Sequence, residues 1–270
     1  MLLKPEFKRF CTAGVLDVLA PLLIAYNNPA RKSCHATTND TMKFQLMLAP
    51  MEGITDCAFR TLCHKAGADL TFTEIARVSN LSKLKMGELN RIKITDSTPT
   101  QIQLAGAKPS EYEKFLSGFE PTEGFNGFDL NLGCSSPDFI RQGIGAAMIK
   151  RVSRVNEIAK LISKSGYDCS VKLRLGMDEY EKSKDAYLNI INNVDASFFV
   201  VHARTAKQTL DDPADSSVYG RCVDTGKKIV ANGGIKTKKQ VSELKKIGLF
   251  GAMIGRAAIK NPNIFSELQV

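Results

Sequence analysis

The chain has 270 residues, 43% hydrophobic and 24% charged, with a formal net charge of +9 and a pI near 9.2. That composition excludes a disordered or collagen-like chain, and no run of about 20 apolar residues is present to span a membrane. Seven scattered cysteines without CxxC spacing exclude a disulfide scaffold and read as free thiols in a reducing compartment, the cytoplasm. Lys and Arg outnumber Asp and Glu by 37 to 28, which favours a polyanionic partner, nucleic acid before an anionic membrane surface.

Residues 1–42 combine Lys4, Lys8 and Arg9 with the apolar stretch Val15–Ala25. Asp17 and Pro21 interrupt that stretch and no cleavage site is clear, so the segment reads as an extension without an assigned role rather than a signal. The folded domain is expected over residues 43–270. From Phe44 onward, short apolar runs alternate with helical periodicities, the pattern of repeated βα units and a parallel sheet. Strands are expected at Gln45–Ala49, Leu70–Thr73, Thr100–Leu104, Gly127–Leu132, Ser170–Leu175, Ser197–His202, Lys228–Ala231 and Gly251–Ile254. Helical stripes are Phe59/Leu62/Cys63/Ala66, Ile158/Leu161/Ile162, Tyr187/Ile190/Ile191/Val194 and Val241/Leu244/Ile247. Eight such units fit an α/β fold of the (β/α)8 TIM-barrel type. An open doubly wound sheet is the competitor, weakened because no GxGxxG follows the first strand. Cys57, Cys63 and His64 share the first helix, but further ligands are lacking and no metal site is expected.

A barrel demands that unusual polar residues collect at the carboxyl ends of its strands, and they do. Strand one ends in Pro50-Met51-Glu52-Gly53, strand three contains Gln103, and strand four runs through Asn131 to Gly133-Cys134. Lys172 and Arg174 lie on strand five, and strand six ends in His202-Ala203-Arg204. Strand seven is followed by Asn232-Gly233-Gly234, and strand eight by Gly255-Arg256. Glycine turns after the last two strands of such a barrel, with an arginine beside them, suit a phosphate. Lys172 alternates with Val171 and Leu173 and therefore faces the barrel mouth, where it meets either the electron-rich edge of a reduced flavin or a carboxylate such as Asp129. His202 is a second donor to the same ring. The side-chain amides of Gln103 and Asn131 can read imide-type edges. A thiol at Cys134, on a loop just beyond a strand end, can serve as nucleophile or proton donor.

These motifs resemble the tRNA-dihydrouridine synthases, flavin-dependent reductases of uridine in transfer RNA. The matching segments, in the family's order from Leu48 to Phe265, are Ala-Pro-Met-Glu-Gly-Ile-Thr-Asp, Gln-Leu-Ala-Gly, Asn-Leu-Gly-Cys, Gly-Ile-Gly-Ala-Ala-Met, Val-Lys-Leu-Arg-Leu-Gly, Val-His-Ala-Arg-Thr, Ala-Asn-Gly-Gly-Ile and Ile-Gly-Arg-Ala-Ala-Ile-Lys-Asn-Pro-Asn-Ile-Phe. The resemblance implies FMN at the barrel mouth, held by Pro50, Met51, Glu52, Gln103, Lys172 and His202. Its phosphate would lie on Asn232, Gly233, Gly234, Gly255 and Arg256. It further implies NADPH or NADH as reductant, hydride transfer to C6 of a flipped-out uracil, and Cys134 as the proton donor to C5. Asn131, Arg174 and Arg204 would meet the substrate, a tRNA.

Three departures accompany the resemblance. Ser135 and Asp138 stand where the family writes proline and lysine. Gln208-Thr-Leu-Asp-Asp-Pro213 replaces a Tyr/Ala-Asp-Trp stretch. The family's C-terminal helical RNA-binding domain is expected to be absent, since the sequence stops at Val270. The alternative enzyme is another FMN barrel such as a dihydroorotate dehydrogenase, although contacts for an orotate carboxylate are not evident. The non-enzymatic alternative is an RNA-binding barrel whose catalysis has decayed.

Overall fold

The computed structural model describes residues 43–269, and the expected extension 1–42 lies outside the described residues. Among the described residues, nine strands form one parallel sheet: β1 (Gln45–Leu48), β2 (Thr71–Phe72), β3 (Ala76–Arg77), β4 (Thr100–Ala105), β5 (Phe125–Leu132), β6 (Cys169–Arg174), β7 (Phe199–His202), β8 (Ile229–Asn232) and β9 (Gly251–Ile254). The hydrogen-bonded order is β1-β9-β8-β7-β6-β5-β4-β2, with β3 also on β4. The Met47–Leu70 bridge closes the sheet, with Leu48 N donating to Leu70 O at 2.9 Å and Asp69 N to Leu46 O at 2.7 Å. The result is an α/β barrel of eight parallel strand positions, and the open-sheet alternative is excluded.

All eight expected strands are present. The second is interrupted, because Thr73 Oγ1 accepts from Gln103 N at 3.0 Å where a ladder carbonyl would otherwise stand. The chain resumes pairing with β4 at Ala76–Arg77, a strand that periodicity did not indicate. Two stripe residues are also corrected. Leu62 is 49% exposed because Arg60 occupies the inner face of helix Cys57–Lys65, its guanidinium donating to Thr55 O and Lys93 O. Ile247, at the C-cap of helix Lys238–Lys246, is 41% exposed, while Val241 and Leu244 are buried.

Alternation along the strands divides the core. Outward-facing Leu104, Leu130, Leu173, Val201, Ala231 and Ile254 join Ile158, Tyr187, Ile190 and Leu244 of the helices in one large cluster. Burying a large apolar side chain contributes about 1.5–3 kcal/mol, so this outer layer carries most of the stability. The barrel interior is mixed. Met47, Leu70, Phe72, Val200, Val230 and Met253 make its apolar half. Gln101, Gln103, Asp129, Asn131 and Ser170, all buried, make a polar half on β4, β5 and β6.

At the barrel's amino end, Phe128 meets four rings, with centroids 5.0 Å from Phe119, 5.0 Å from Phe125, 5.5 Å from Tyr167 and 6.0 Å from Phe115. Phe128→Ala is expected to lower unfolding free energy by about 3–5 kcal/mol, measured by chemical denaturation. A loss below about 1 kcal/mol would show that this aromatic knot does not hold β5 to its helices.

Candidate active site

A cavity of about 540 Å³ opens at the carboxyl ends of β1, β6, β7, β8 and β9. Its wall includes Pro50, Met51, Lys172, His202, Arg204, Asn232, Gly233, Gly234, Gly255 and Arg256, together with Lys236 and Lys260. Five Lys and Arg side chains thus face one volume, and among the described residues no carboxylate lines it. The backbone N–H groups of Gly233, Gly234 and Gly255 also lack a hydrogen-bond acceptor among the described residues. Gly233 and Gly234 have φ of +128° and +73°, which favour glycine, and a Cβ on Gly233 would lie 3.2 Å from His202 Cδ2. Orphan donors among cations whose one acidic partner among the described residues is Asp211, loosely paired with Arg256 at 3.6 Å, make a site for an anion.

His202 Nε2 lies 3.0 Å from Arg204 Nη1, which can only donate, so Nε2 is the acceptor and the ring proton sits on Nδ1. Burial, then the charges of Lys172, Arg174, Arg204 and Arg256, hold the imidazole down to about 2. His202 is therefore a neutral donor. The side chain of Lys172 makes no hydrogen bond or ion pair among the described residues. Burial pushes its ammonium down, while the carboxylate of Asp129 nearby opposes that shift. The two do not form a contact ion pair, because both oxygens of Asp129 are occupied elsewhere.

Those oxygens anchor a chain of hydrogen bonds. Asp129 Oδ1 lies 2.7 Å from Ser170 Oγ, which is also 2.7 Å from Gln101 Oε1. Asp129 Oδ2 accepts from Gln103 Nε2 at 2.6 Å. Gln103 Oε1 accepts from Asn131 Nδ2 at 2.9 Å, and Asn131 Oδ1 accepts from Gly133 N at 3.1 Å and Cys134 N at 2.9 Å. The amides of Gln103 and Asn131 thus meet each other and the Cys134 loop, outside the cavity wall.

Cys134 is half-buried against Phe139, Ile144 and Ala105, and its Sγ–H points to Ser136 Oγ at 3.7 Å. Gly145 (φ +62°) approaches this loop so closely that a Cβ would fall 2.5 Å from Cys134 O. Ser136 caps helix Pro137–Arg141, where Asp138 pairs with Arg77 at 2.6 Å. Cys134 is close enough that a thiolate there would favour the charged forms of both Lys172 and Arg174. Arg174 binds Gly133 O at 3.0 Å and Thr205 O at 2.7 Å, bracing the Cys134 loop against the loop after β7. Residues 205–212, the unusual stretch after His-Ala-Arg, supply further carbonyls. Asp212 O accepts from Arg204 at 2.7 Å, and Leu210 O from Arg256 at 2.7 Å.

The family model described as dihydrouridine synthase matches residues 47–270. The chain belongs to this family. It is 29% identical over 238 residues to a probable tRNA-dihydrouridine synthase of Aquifex aeolicus, covering 84% of this chain and 73% of that protein. It is 28% identical to tRNA-dihydrouridine synthase B of Pseudomonas putida over 85% of this chain and 69% of the relative. With a probable tRNA-dihydrouridine synthase of Helicobacter pylori it shares 30% identity, over 83% and 70% of the two chains.

In this dihydrouridine synthase fold, ten of the residues singled out from the sequence meet around the cavity. Gln103, Asn131, Cys134 and Arg174 form a second group beside Lys172. Glu52 joins neither, being 69% exposed and paired with Arg91 at 3.1 Å. The sequence reading named neither Lys236 nor Lys260 as a wall residue. A usable signal was present, since Lys236 follows the Gly233-Gly234 turn within three residues and Lys260 ends the short helix Arg256–Lys260 that follows β9.

A neutral His202 has a consequence for pH dependence. Its folded-state pKa is depressed, so between about 2 and the unfolded value of about 6.5 the unfolded chain binds the extra proton. Stability should therefore fall as pH drops through that window, and His202→Gln should flatten the fall. In NMR spectra of the ligand-free protein, the His202 ring should not titrate between about pH 5 and 8, whereas a midpoint near 6.5 would contradict the assigned geometry.

Proposed function

We propose that this chain reduces uridine to 5,6-dihydrouridine in tRNA, with FMN as resident cofactor and NADPH or NADH as reductant. The observation that carries the reading is the pairing of a cation-lined cavity, containing a neutral His202 and a Lys172 whose ammonium has no partner among the described residues, with a braced thiol loop next to that lysine. The residues fit FMN. Orphan N–H groups at Gly233, Gly234 and Gly255, with Arg256, Lys236 and Lys260, match a terminal phosphate. Lys172 and the Nδ1–H of His202 are the donors for the ring system, and Met51, Ala49 and Met253 offer apolar contact.

When bound and reduced, the flavin supplies a hydride for C6 of the uracil ring. The thiol of Cys134 gives its proton to C5, completing addition of two hydrogens across one double bond. Arg174 and Asn131 act from behind, holding the loop through Gly133 O and through the N–H groups of Gly133 and Cys134. The uracil must leave its stack to reach the cavity, as for other enzymes that act on bases.

Denatured protein is expected to release FMN, identified by chromatography. Cys134→Ala should keep flavin content and NADPH oxidation while slowing tRNA-dependent flavin reoxidation by about 10²–10⁴-fold. Equal loss of flavin would instead make Cys134 a structural residue.

For the RNA surface, the structure separates lysines that are adjacent in sequence. Lys236 lines the cavity and helix Lys238–Lys246 begins two residues later, which puts Lys238 and Lys239 at the mouth end of the helix, whereas Lys245 sits over the Phe44 ring, 5.8 Å from its centroid, at the amino end of β1. Replacing Lys236, Lys238 and Lys239 with Gln should flatten the salt dependence of tRNA binding, by a little under one unit of slope for each phosphate no longer neutralised. Replacing Lys245 and Lys246 should leave the slope unchanged. Equal effects of the two sets would place the RNA elsewhere.

A further inference from the structure

The chain of hydrogen bonds from Asp129 to Cys134 has a direction, and both ends set it. At the upper end stand two backbone N–H groups, Gly133 and Cys134, which can only donate; they oblige Asn131 to present Oδ1. Its Nδ2 is thereby turned to Gln103, whose Oε1 must accept at 2.9 Å, and Gln103 Nε2 is left facing down. At the lower end Asp129 Oδ2 accepts that N–H at 2.6 Å. An acceptor at the bottom and donors at the top permit one amide orientation at each step. Reversing either amide would set donor against donor, or acceptor against acceptor, in a buried place, where leaving a polar group unpaired costs more than an ordinary hydrogen bond contributes. Asp129 and Gln103 are each 0% exposed and Asn131 is 6% exposed, so water does not relieve a mismatch.

We propose that Asp129 is a positioning residue for the Cys134 loop, acting through Gln103 and Asn131 to hold the Gly133 and Cys134 backbone in one arrangement. Asp129 touches neither the cavity nor the thiol. Its influence reaches the loop because each amide along the path has its donor and acceptor already committed. The inference rests on the reading that the Cys134 loop serves the reaction, and its physical core can be tested apart from that reading.

The chemistry separates two substitutions at the same atom. Asp129→Asn can keep its oxygen toward Gln103 while its new N–H group donates to Ser170 Oγ, which passes its own proton to Gln101 Oε1. The direction of the chain survives. Asp129→Leu, of similar volume, removes the acceptor, and Gln103→Met removes the middle link while keeping an unbranched side chain. Hydrogen exchange at the Gly133 and Cys134 amides, compared with Leu130 and Leu132 of the same strand, reads the loop directly in the full chain with its bound flavin. Asp129→Leu and Gln103→Met should speed exchange at the two loop amides roughly tenfold without changing the strand amides, and Asp129→Asn should keep them protected. Turnover on tRNA should fall by a similar factor in the first two variants. Protected loop amides in a folded Gln103→Met protein, or loop amides released in Asp129→Asn, would overturn the proposal. Faster exchange with undiminished turnover would instead overturn the role of the Cys134 loop in the reaction.

Discussion

Half of the barrel interior is polar, and the side chains there bond one another and, at the upper end, the backbone N–H groups of Gly133 and Cys134. Gln101, Gln103, Asp129, Asn131 and Ser170 occupy successive inward positions on β4, β5 and β6, beneath a mouth that excludes most solvent from them. A buried polar group left unpaired costs about 1–3 kcal/mol, comparable with the net value of several ordinary hydrogen bonds. Partial satisfaction is therefore a poor state, and the network holds as a unit. Its consequence on one side is a fixed loop at Gly133-Cys134. On the other side Lys172, register-paired with Asn131, finds the Asp129 oxygens already occupied and keeps its ammonium for the cavity.

The cavity has the opposite character. Lys172, Arg204, Lys236, Arg256 and Lys260 surround it without a lining carboxylate among the described residues. Two like charges 4 Å apart repel by about 4 kcal/mol at an effective dielectric of 20, so such a cluster is stable only where solvent or a ligand spreads the field. Three of the arginines near the mouth, Arg174, Arg204 and Arg256, are steered by carbonyls of residues 205–212 rather than by acids, which leaves their charge uncancelled apart from the loose Arg256–Asp211 pair at 3.6 Å. His202 gives up its charge first to burial and then to the same field. The fold thus separates a region of rigid, self-satisfied polarity under the thiol from a region of unsatisfied positive charge under the glycine turns.

Much of this was legible in the sequence, for reasons that are local. Each strand is a short apolar run with polar residues at its carboxyl end, and the glycine turns after β8 and β9 need no tertiary knowledge to be read as turns. The break between β2 and β3 was not legible, because it depends on Thr73 meeting an N–H from Gln103, thirty positions away. The inward turn of Arg60 at the expense of Leu62 depends likewise on a distant carbonyl, Lys93 O. Gln103 and Asn131 were recognisable as residues with paired donors and acceptors, but their facing one another follows from the β4–β5 register. The role of residues 208–212 as a set of carbonyls for arginines was hidden because backbone acceptors leave no trace in side-chain identity.

The most direct test of the functional reading is mass spectrometry of tRNA nucleosides after incubation with the protein, FMN and NADPH. Dihydrouridine should accumulate with wild-type protein at defined uridines, fall sharply with Cys134→Ala, and be absent without the reductant. Protein that carries FMN and oxidises NADPH, yet leaves every uridine of its own organism's unmodified tRNA unchanged, would contradict it.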